Sequence, residues 1–134
     1  MQIKRIRVTL LLFLVIITVV GFAMKFYDGA GAHWFNDYGA GVMYVIFFIV
    51  LFSFVFPAKK HIFRIVIIVF LVTCSLETLQ LWHPPFLQAI RQNFFGWALI
   101  GTHFVWWDFP HYVVGAALGW VLLKNVYKKM NKNQ

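Results

Sequence analysis

The residues best able to carry chemistry lie mainly in the second half of the sequence, and Glu77 with Gln80 is the first such pair. Their three-residue spacing places them on one face of a helix. An ionisable residue near the centre of a membrane helix costs about 2.5 to 3.5 kcal/mol, so Glu77 needs a partner or a role. Two interpretations stay open: a polar site that opens outward, or a buried ion pair with Arg91 that fixes helix packing.

Asp108 and His111 form a second pair on one helix face, and Gly115 and Gly119 continue that face. The four-residue glycine spacing allows a neighbouring backbone to approach closely. A carboxylate and an imidazole at the mouth of such a groove suit polar recognition or proton transfer. Asp108 before an apolar run is also typical of a helix N-cap, and both roles are compatible.

Other residues near the predicted water boundary have simpler interpretations. Gly39 and Gly41 are predicted to serve helix contact. Asp37 joins the same outer polar layer or is a solvated loop carboxylate, and we favour the latter.

Five side chains are of a type that binds metals: Glu77, His83, His103, Asp108 and His111. None of their spacings matches a dense ligand motif such as two histidines one turn apart with a glutamate between them. Ser53 and Ser75 lie in apolar runs without flanking glycines, which argues against a serine hydrolase. The single cysteine, Cys74, excludes an intrachain disulfide. We therefore expect no metal site and no cofactor.

The elements that must position these residues are predicted from composition. At 134 residues, 62% hydrophobic and 12% charged, the chain is more apolar than a soluble domain tolerates. The sequence predicts an all-α fold, a single transmembrane domain over residues 1–134, because its apolar runs approach the length of about 20 residues that spans a bilayer. Four spans are expected, at about 8–24, 38–56, 62–81 and 108–123. We interpret the first as a retained helix rather than a signal peptide.

Residues 86–106 allow two topologies. As part of a fifth span they would bury Arg91, Gln92 and Asn93 in hydrocarbon and send the C-terminal lysines to the far side. If they instead form an interfacial or re-entrant helical segment, the three basic segments lie on the same side of the membrane: residues 4–7, residues 59–64 and the basic tail 124–134. We expect the second topology, with both termini in the cytoplasm, a frayed tail and an outer lid at 86–106.

The formal net charge of +8 could suggest a nucleic-acid partner. However, the lysines and arginines cluster at the ends of the apolar runs, where anionic lipid head groups lie. We therefore expect membrane lipids and no nucleic acid as partners, and a bacterial cytoplasmic (inner) membrane as the location.

Four segments carry a resemblance to a known family: Glu77-Thr-Leu-Gln80-Leu-Trp-His83-Pro, Phe86-Leu-Gln-Ala-Ile-Arg91, Gly96 to Gly101, and Trp107-Asp108-Phe-Pro-His-Tyr112-Val-Val-Gly115. The chain resembles the small membrane proteins of domain-of-unknown-function family 2809, which is similar to the VanZ-like group. VanZ-like proteins show a Glu with a Gln three residues on, an Arg, then Asp, Asn and two glycines. Matching positions here are Glu77, Gln80, Arg91, Asp108, Gly115 and Gly119.

Tyr112 replaces the Asn of that pattern, as in the uncharacterised branch. The resemblance implies a cell-envelope role, since VanZ is associated with low-level resistance to a glycopeptide antibiotic. The branch itself has no assigned activity.

Our first functional hypothesis is binding of an envelope lipid or a lipid-linked cell-wall precursor. Arg91 would contact phosphate or carboxylate, while Glu77 and Asp108 accept amine or hydroxyl donors. The candidate binding residues are Glu77, Gln80, His83, Arg91, His103, Asp108, His111 and Tyr112. The alternatives are an accessory subunit of a membrane complex or a homo-oligomer, and, with less weight, an enzyme that uses a carboxylate and a histidine.

Overall fold

The computed structural model describes residues 2–132, and over that range the chain is helical without any strand. The predicted all-α class is confirmed. Six helices are present: α1 (Gln2–Lys25), α2 (Ala32–Val55), α3 (Ile62–Leu79), α4 (Pro85–Arg91), α5 (Phe94–Ile100) and α6 (Asp108–Lys132).

Three helices are long and apolar enough to cross a membrane: α1, α2, and α3 with its preceding turn from Lys59. They coincide with the first three predicted spans, although α1 begins at Gln2 rather than near Val8. Their outer faces carry exposed apolar side chains such as Leu12 and Val19, each more than half exposed. Because contiguous apolar surface of this kind is unfavourable in water, these helices indicate a membrane protein.

The start of α2 departs from regular α-helix. A short α turn at Ala32–Trp34 leads into a π-helical turn at Phe35–Gly39, and regular helix runs from Ala40 to Val55. Such a π turn inserts an extra residue and re-aims the side chains beside it. It places Tyr38 beside the start of α6, where its ring meets His111.

The helices α2 and α6 approach each other closely, with α3 packed on α6 and α1 on α2. A Cβ added at Gly115 would lie 2.9 Å from the Val42 carbonyl oxygen, and one at Gly119 would lie 2.8 Å from Ile49 Cδ1. The Val42 backbone leaves no room for a side chain at Gly115, whereas at Gly119 the end of the Ile49 side chain would have to move. This face of α6 lies close to the backbone of α2.

Gly39 and Gly41 lie at contacts between other parts of the chain. Gly39 is buried against Met24 and Trp34, and Gly41 faces the ring of Tyr112. Both glycines therefore lie where helices or their connections meet.

The charged residues separate to opposite ends of the bundle. The Gln2 Nε2 atom donates a 2.8 Å hydrogen bond to Asn131 Oδ1, so both termini lie at one end. Ten of the twelve Lys and Arg residues belong to this basic end: Lys4, Arg5, Arg7, Lys59, Lys60, Arg64, Lys124, Lys128, Lys129 and Lys132. The acidic end holds all four acids: Asp28, Asp37, Glu77 and Asp108.

The tail differs from the prediction. Instead of fraying from Lys128, α6 continues through Lys132, because Leu123, Val126 and Tyr127 are buried against the bundle. Residues 133 and 134 lie outside the described range.

Residues 85–107, which we call the lid, connect α3 to α6 at the acidic end. The predicted helical segment at 86–106 forms as two helices of seven residues each, and the backbone after Ile100 leaves helical geometry until Asp108. Each lid helix is about 10 Å long, which is far short of a hydrocarbon core of about 30 Å. Neither lid helix is therefore long enough to cross a membrane.

Candidate functional site

Glu77 lies at the centre of the acidic end and is 1% exposed. Its Oε2 atom accepts hydrogen bonds from the Tyr112 hydroxyl at 2.7 Å and from Gln80 Nε2 at 3.1 Å. Its Oε1 atom accepts the Val105 backbone N–H at 3.0 Å. One carboxylate thus joins α3, the lid and α6, and the predicted common face of Glu77 and Gln80 is confirmed.

Asp108, the first residue of α6, is half-buried beside Glu77. The two carboxyl groups are close enough to interact electrostatically. Asp37 and Lys25 also act on Asp108, with opposite charges. Asp108 is thus more accessible than Glu77 and lies among charges of both signs.

The lid backbone turns directly over Gln80 at Gly101. This residue has a φ of 77°, in the left-handed region, and an added Cβ would lie 2.6 Å from Gln80 Nε2. Glycine is therefore required both for backbone conformation and for space. The turn directs residues 102–107 across Glu77, which brings the Val105 N–H to its carboxylate.

Arg91 makes contacts that differ from both roles considered for it. Its side chain is 5% exposed, with Nη1 donating to the Trp82 carbonyl at 3.0 Å and Nη2 to the Leu79 carbonyl at 3.1 Å. These carbonyls belong to the C-terminal end of α3, where helices leave backbone acceptors unpaired. Within residues 2–132 no ion pair joins Arg91 to Glu77. The guanidinium instead caps α3 and fastens the lid to it.

Aromatic and polar contacts hold the second lid helix over the bundle. The Tyr44 hydroxyl donates a 2.8 Å hydrogen bond to the Leu99 carbonyl. Phe94 stacks on Phe22, and the Lys25 ammonium lies 5.4 Å from the centroid of the Trp97 ring. These contacts attach α5 to the end of α1 and to the middle of α2.

His111 belongs to an aromatic wall formed by Trp34, Tyr38 and His111. The imidazole stacks on Tyr38 with 4.5 Å between centroids and meets the Trp34 ring edge-on. Its Nδ1 atom pairs with the Trp107 carbonyl at 2.7 Å. In the described part of the chain no hydrogen bond connects His111 to Glu77 or Asp108.

His83 and His103 lie apart from the carboxylates. Both are exposed, and their Nδ1 atoms pair with the Leu81 carbonyl and the Thr102 hydroxyl, at 3.1 and 2.8 Å. Across residues 2–132 there is no group of three His, Cys, Asp or Glu side chains arranged to hold a metal ion. The structure thus brings together Glu77, Gln80, Asp108 and Tyr112, but not the three histidines.

Several contributing groups were missed by sequence reasoning. The Val105 N–H belongs to the backbone, so no pattern of side chains could indicate its role. Tyr44 lies 55 residues from its acceptor, which is too far for a local pattern to reveal the contact. The exposed pair of His33 Nδ1 and Asp37 Oδ2, 2.7 Å apart, could have been predicted from the sequence. Their four-residue spacing places the two side chains on one helix face.

Comparison with known proteins adds one finding. Residues 30–116 match the family described as "Protein of unknown function (DUF2809)", and this range contains Glu77, Gln80, Arg91, Asp108 and Tyr112. Neither the curated proteins nor the solved structures contain a match to the sequence. Because the matched range covers more than half of the 134 residues, the chain belongs to the DUF2809 family.

Proposed function

We propose that this protein is a VanZ-like, four-span protein of the bacterial cytoplasmic membrane. At its outward-facing acidic end it binds the head group of an envelope lipid or lipid-linked cell-wall precursor. The observation that carries the proposal is the position of Asp108: it is half-buried beside Glu77, near Asp37 and Lys25.

The topology rests on α6 and on charge. A helix of 25 residues is about 37 Å long, enough to cross a hydrocarbon core of about 30 Å. The basic end collects ten cations and no acids, which matches the preference of Lys and Arg for the cytoplasmic side. A reporter fused after residue 134 tests this: alkaline phosphatase should be inactive there, while a cytoplasm-dependent fluorescent protein should be bright. The opposite pair of results would exclude four spans with both termini inside.

The chemistry of the site favours a head group that carries both an amine and a phosphate. Asp108 and Asp37 are acceptors for an ammonium or hydroxyl group, and Lys25 supplies a cation for phosphate. Arg91 is less suited to that contact than the sequence suggested, because backbone carbonyls already occupy both of its terminal nitrogens. The aromatic wall of Trp34, Tyr38 and His111 offers ring faces to an ammonium group.

The VanZ-like relationship is supported by the order of Glu77, Gln80, Arg91 and Asp108 and by the two glycines packed on α2. It extends the proposal to a role in tolerance of a glycopeptide antibiotic. Comparing the susceptibility of cells with and without the protein tests this. Unchanged susceptibility would confine the function to lipid binding.

The central experiment measures head-group preference on the purified full-length protein by native mass spectrometry. Dioleoyl phosphatidylethanolamine and dioleoyl phosphatidylglycerol share acyl chains but differ in the amine. We expect the wild type to retain the first lipid more strongly, and Asp108→Asn to reduce that preference about tenfold, because an ion pair becomes a neutral contact.

Asp28→Asn is the matched control, since Asp28 is also an acid of this end but is not among the groups that act on Asp108. It should leave the preference within about twofold. Equal retention of both lipids by the wild type, or equal effects of the two variants, would refute the proposal.

An accessory role in a membrane complex is the second candidate. One observation favours it: the Glu77 oxygens and the Arg91 terminal nitrogens form hydrogen bonds within the chain. This is expected of residues that stabilise the fold and do not bind a ligand. Purification from native membranes should then yield a stoichiometric membrane-protein partner or a homo-oligomer. An enzyme has less support, because His83, His103 and His111 bond to groups other than the carboxylates, and the one histidine that pairs with an acid among the described residues, His33 with Asp37, is exposed.

A further inference from the structure

A groove between α3 and α6 opens on the lipid-facing side of the bundle, away from the site described above. It encloses about 310 Å³ and is lined only by apolar side chains, among them Phe63 and Phe70 of α3 and Val113, Ala117 and Trp120 of α6. Seven residues separate its first and last contacts on each helix, which gives a length of about 10 Å. The groove therefore lies within the hydrocarbon region.

Cations lie where the groove reaches the basic end. Arg64 is exposed and directly follows Phe63. One turn beyond Trp120, the Lys124 ammonium lies 4.3 Å from the centroid of the Trp120 ring. All four acids of the chain belong to the opposite end of the bundle. The mouth of the groove is thus positive and without a competing carboxylate.

We propose that this groove binds an anionic phospholipid from the leaflet at the basic end. One acyl chain lies between α3 and α6, and the phosphate contacts Arg64 and Lys124. The apolar lining is no better a partner for an acyl chain than the surrounding lipid tails are. The selectivity for one lipid over another therefore comes from the charge of its head group. A guanidinium binds phosphate oxygens through paired hydrogen bonds, and a tryptophan beside the head group is typical of membrane interfaces.

The dimensions favour an acyl chain over a protein helix. A volume of about 310 Å³ spread over about 10 Å leaves a cross-section of roughly 30 Å². A helix with its side chains is about 10 to 12 Å across and does not fit such a slot. Phe63, Phe70 and Trp120 also form bulky walls, whereas helix contacts in membranes favour small residues on both partners.

The test uses the full-length protein in detergent and native mass spectrometry with two probes, dioleoyl phosphatidylglycerol and dioleoyl phosphatidylcholine. Their chains are identical, so any difference in retention comes from the head group. The charge variant is Arg64→Gln with Lys124→Gln. Its matched control, Lys4→Gln with Lys129→Gln, removes two exposed charges from the same end but away from the groove. A third variant, Ala117→Phe, fills the groove and keeps every charge.

The wild type should bind phosphatidylglycerol at least about tenfold more tightly than phosphatidylcholine. The charge variant should lose roughly 10- to 30-fold of phosphatidylglycerol affinity, and the control less than about threefold. Ala117→Phe should weaken both lipids. All the substituted residues are exposed, and a melting curve by circular dichroism verifies folding.

Three results would overturn the inference. The first is equal binding of the two lipids by the wild type. The second is a control as damaging as the charge variant, which would mean a diffuse basic surface. The third is a wild-type dimer that Ala117→Phe dissociates without changing lipid retention, which would make a second copy the occupant.

Discussion

The Tyr112 hydroxyl donates a 2.7 Å hydrogen bond to Glu77 Oε2, which joins α6 to α3 across 35 residues of sequence. The same tyrosine ring lies against Gly41 of α2. One side chain therefore links three long helices at the acidic end.

Removing that hydroxyl should loosen the acidic end. Tyr112→Phe keeps the ring against Gly41 but deprives Glu77 of one of its three donors. We expect a loss of about 1 to 2 kcal/mol in the free energy of unfolding, measured by thermal or denaturant unfolding in detergent. Tyr27→Phe, an exposed tyrosine at the same end, is the control and should change little. Equal stabilities of the two variants would show that the hydroxyl contributes nothing.

Glu77 itself should be far less tolerant of substitution. Glu77→Ala leaves the Val105 N–H, the Gln80 amide and the Tyr112 hydroxyl without their acceptor. Each such buried group costs about 1 to 3 kcal/mol, so we expect poor expression or early unfolding. Glu77→Gln retains one carbonyl acceptor and should be intermediate in melting temperature. If alanine and glutamine were equally stable, the hydrogen bonds to Glu77 would not hold the lid.

Arg91 is expected to act on the lid through the end of α3. Arg91→Ala should expose residues 85–107 to faster amide hydrogen exchange, because the Trp82 carbonyl loses its guanidinium donor and the Leu79 carbonyl keeps only the Trp82 N–H. Arg91→Lys should restore only part of the protection from exchange. A lysine ammonium is a single charged group and lacks the two terminal nitrogens with which the planar guanidinium reaches both carbonyls. The surface variant Arg5→Ala controls for lost charge. Unchanged exchange in the lid of Arg91→Ala would contradict this role.

The two glycines on α6 should differ in sensitivity. A Cβ at Gly115 meets the Val42 backbone oxygen, which cannot move without shifting α2, whereas at Gly119 it meets the flexible end of Ile49. We therefore expect Gly115→Ala to lower the melting temperature more than Gly119→Ala. Gly21→Ala is the control, because its Cβ would lie at an ordinary 3.5 Å from Met43 Cβ. The reverse order of Gly115 and Gly119 would mean that the α2–α6 contact is looser than observed.

Much of the fold could be predicted because its causes are local. A run of about 20 apolar residues forms a helix in lipid whatever surrounds it, since every backbone polar group must be paired within the segment. Helical periodicity alone placed Glu77 with Gln80 and aligned Gly115 with Gly119. The charge separation between the two ends follows from where lysines, arginines and acids stand relative to those runs.

The lid was only partly predictable. Its helical character could be predicted from the sequence, but its break at residues 92–93 and its turn at Gly101 could not. Gly101 is one of nine glycines in the sequence, and only its contact with Gln80 reveals why it is needed.

The partners of the polar side chains were decided by the tertiary structure alone. The sequence made Arg91 an equally reasonable partner for Glu77 or for a head group, because a long flexible side chain reaches many acceptors. In the folded chain the lid turns back on α3, which places the Arg91 guanidinium beside the Leu79 and Trp82 carbonyls. These carbonyls are therefore its partners. Likewise, Tyr112 reaches Glu77 because of the way α6 packs on α3, and the Val105 N–H reaches it because of the path of the lid. Both are long-range properties that no local sequence pattern encodes.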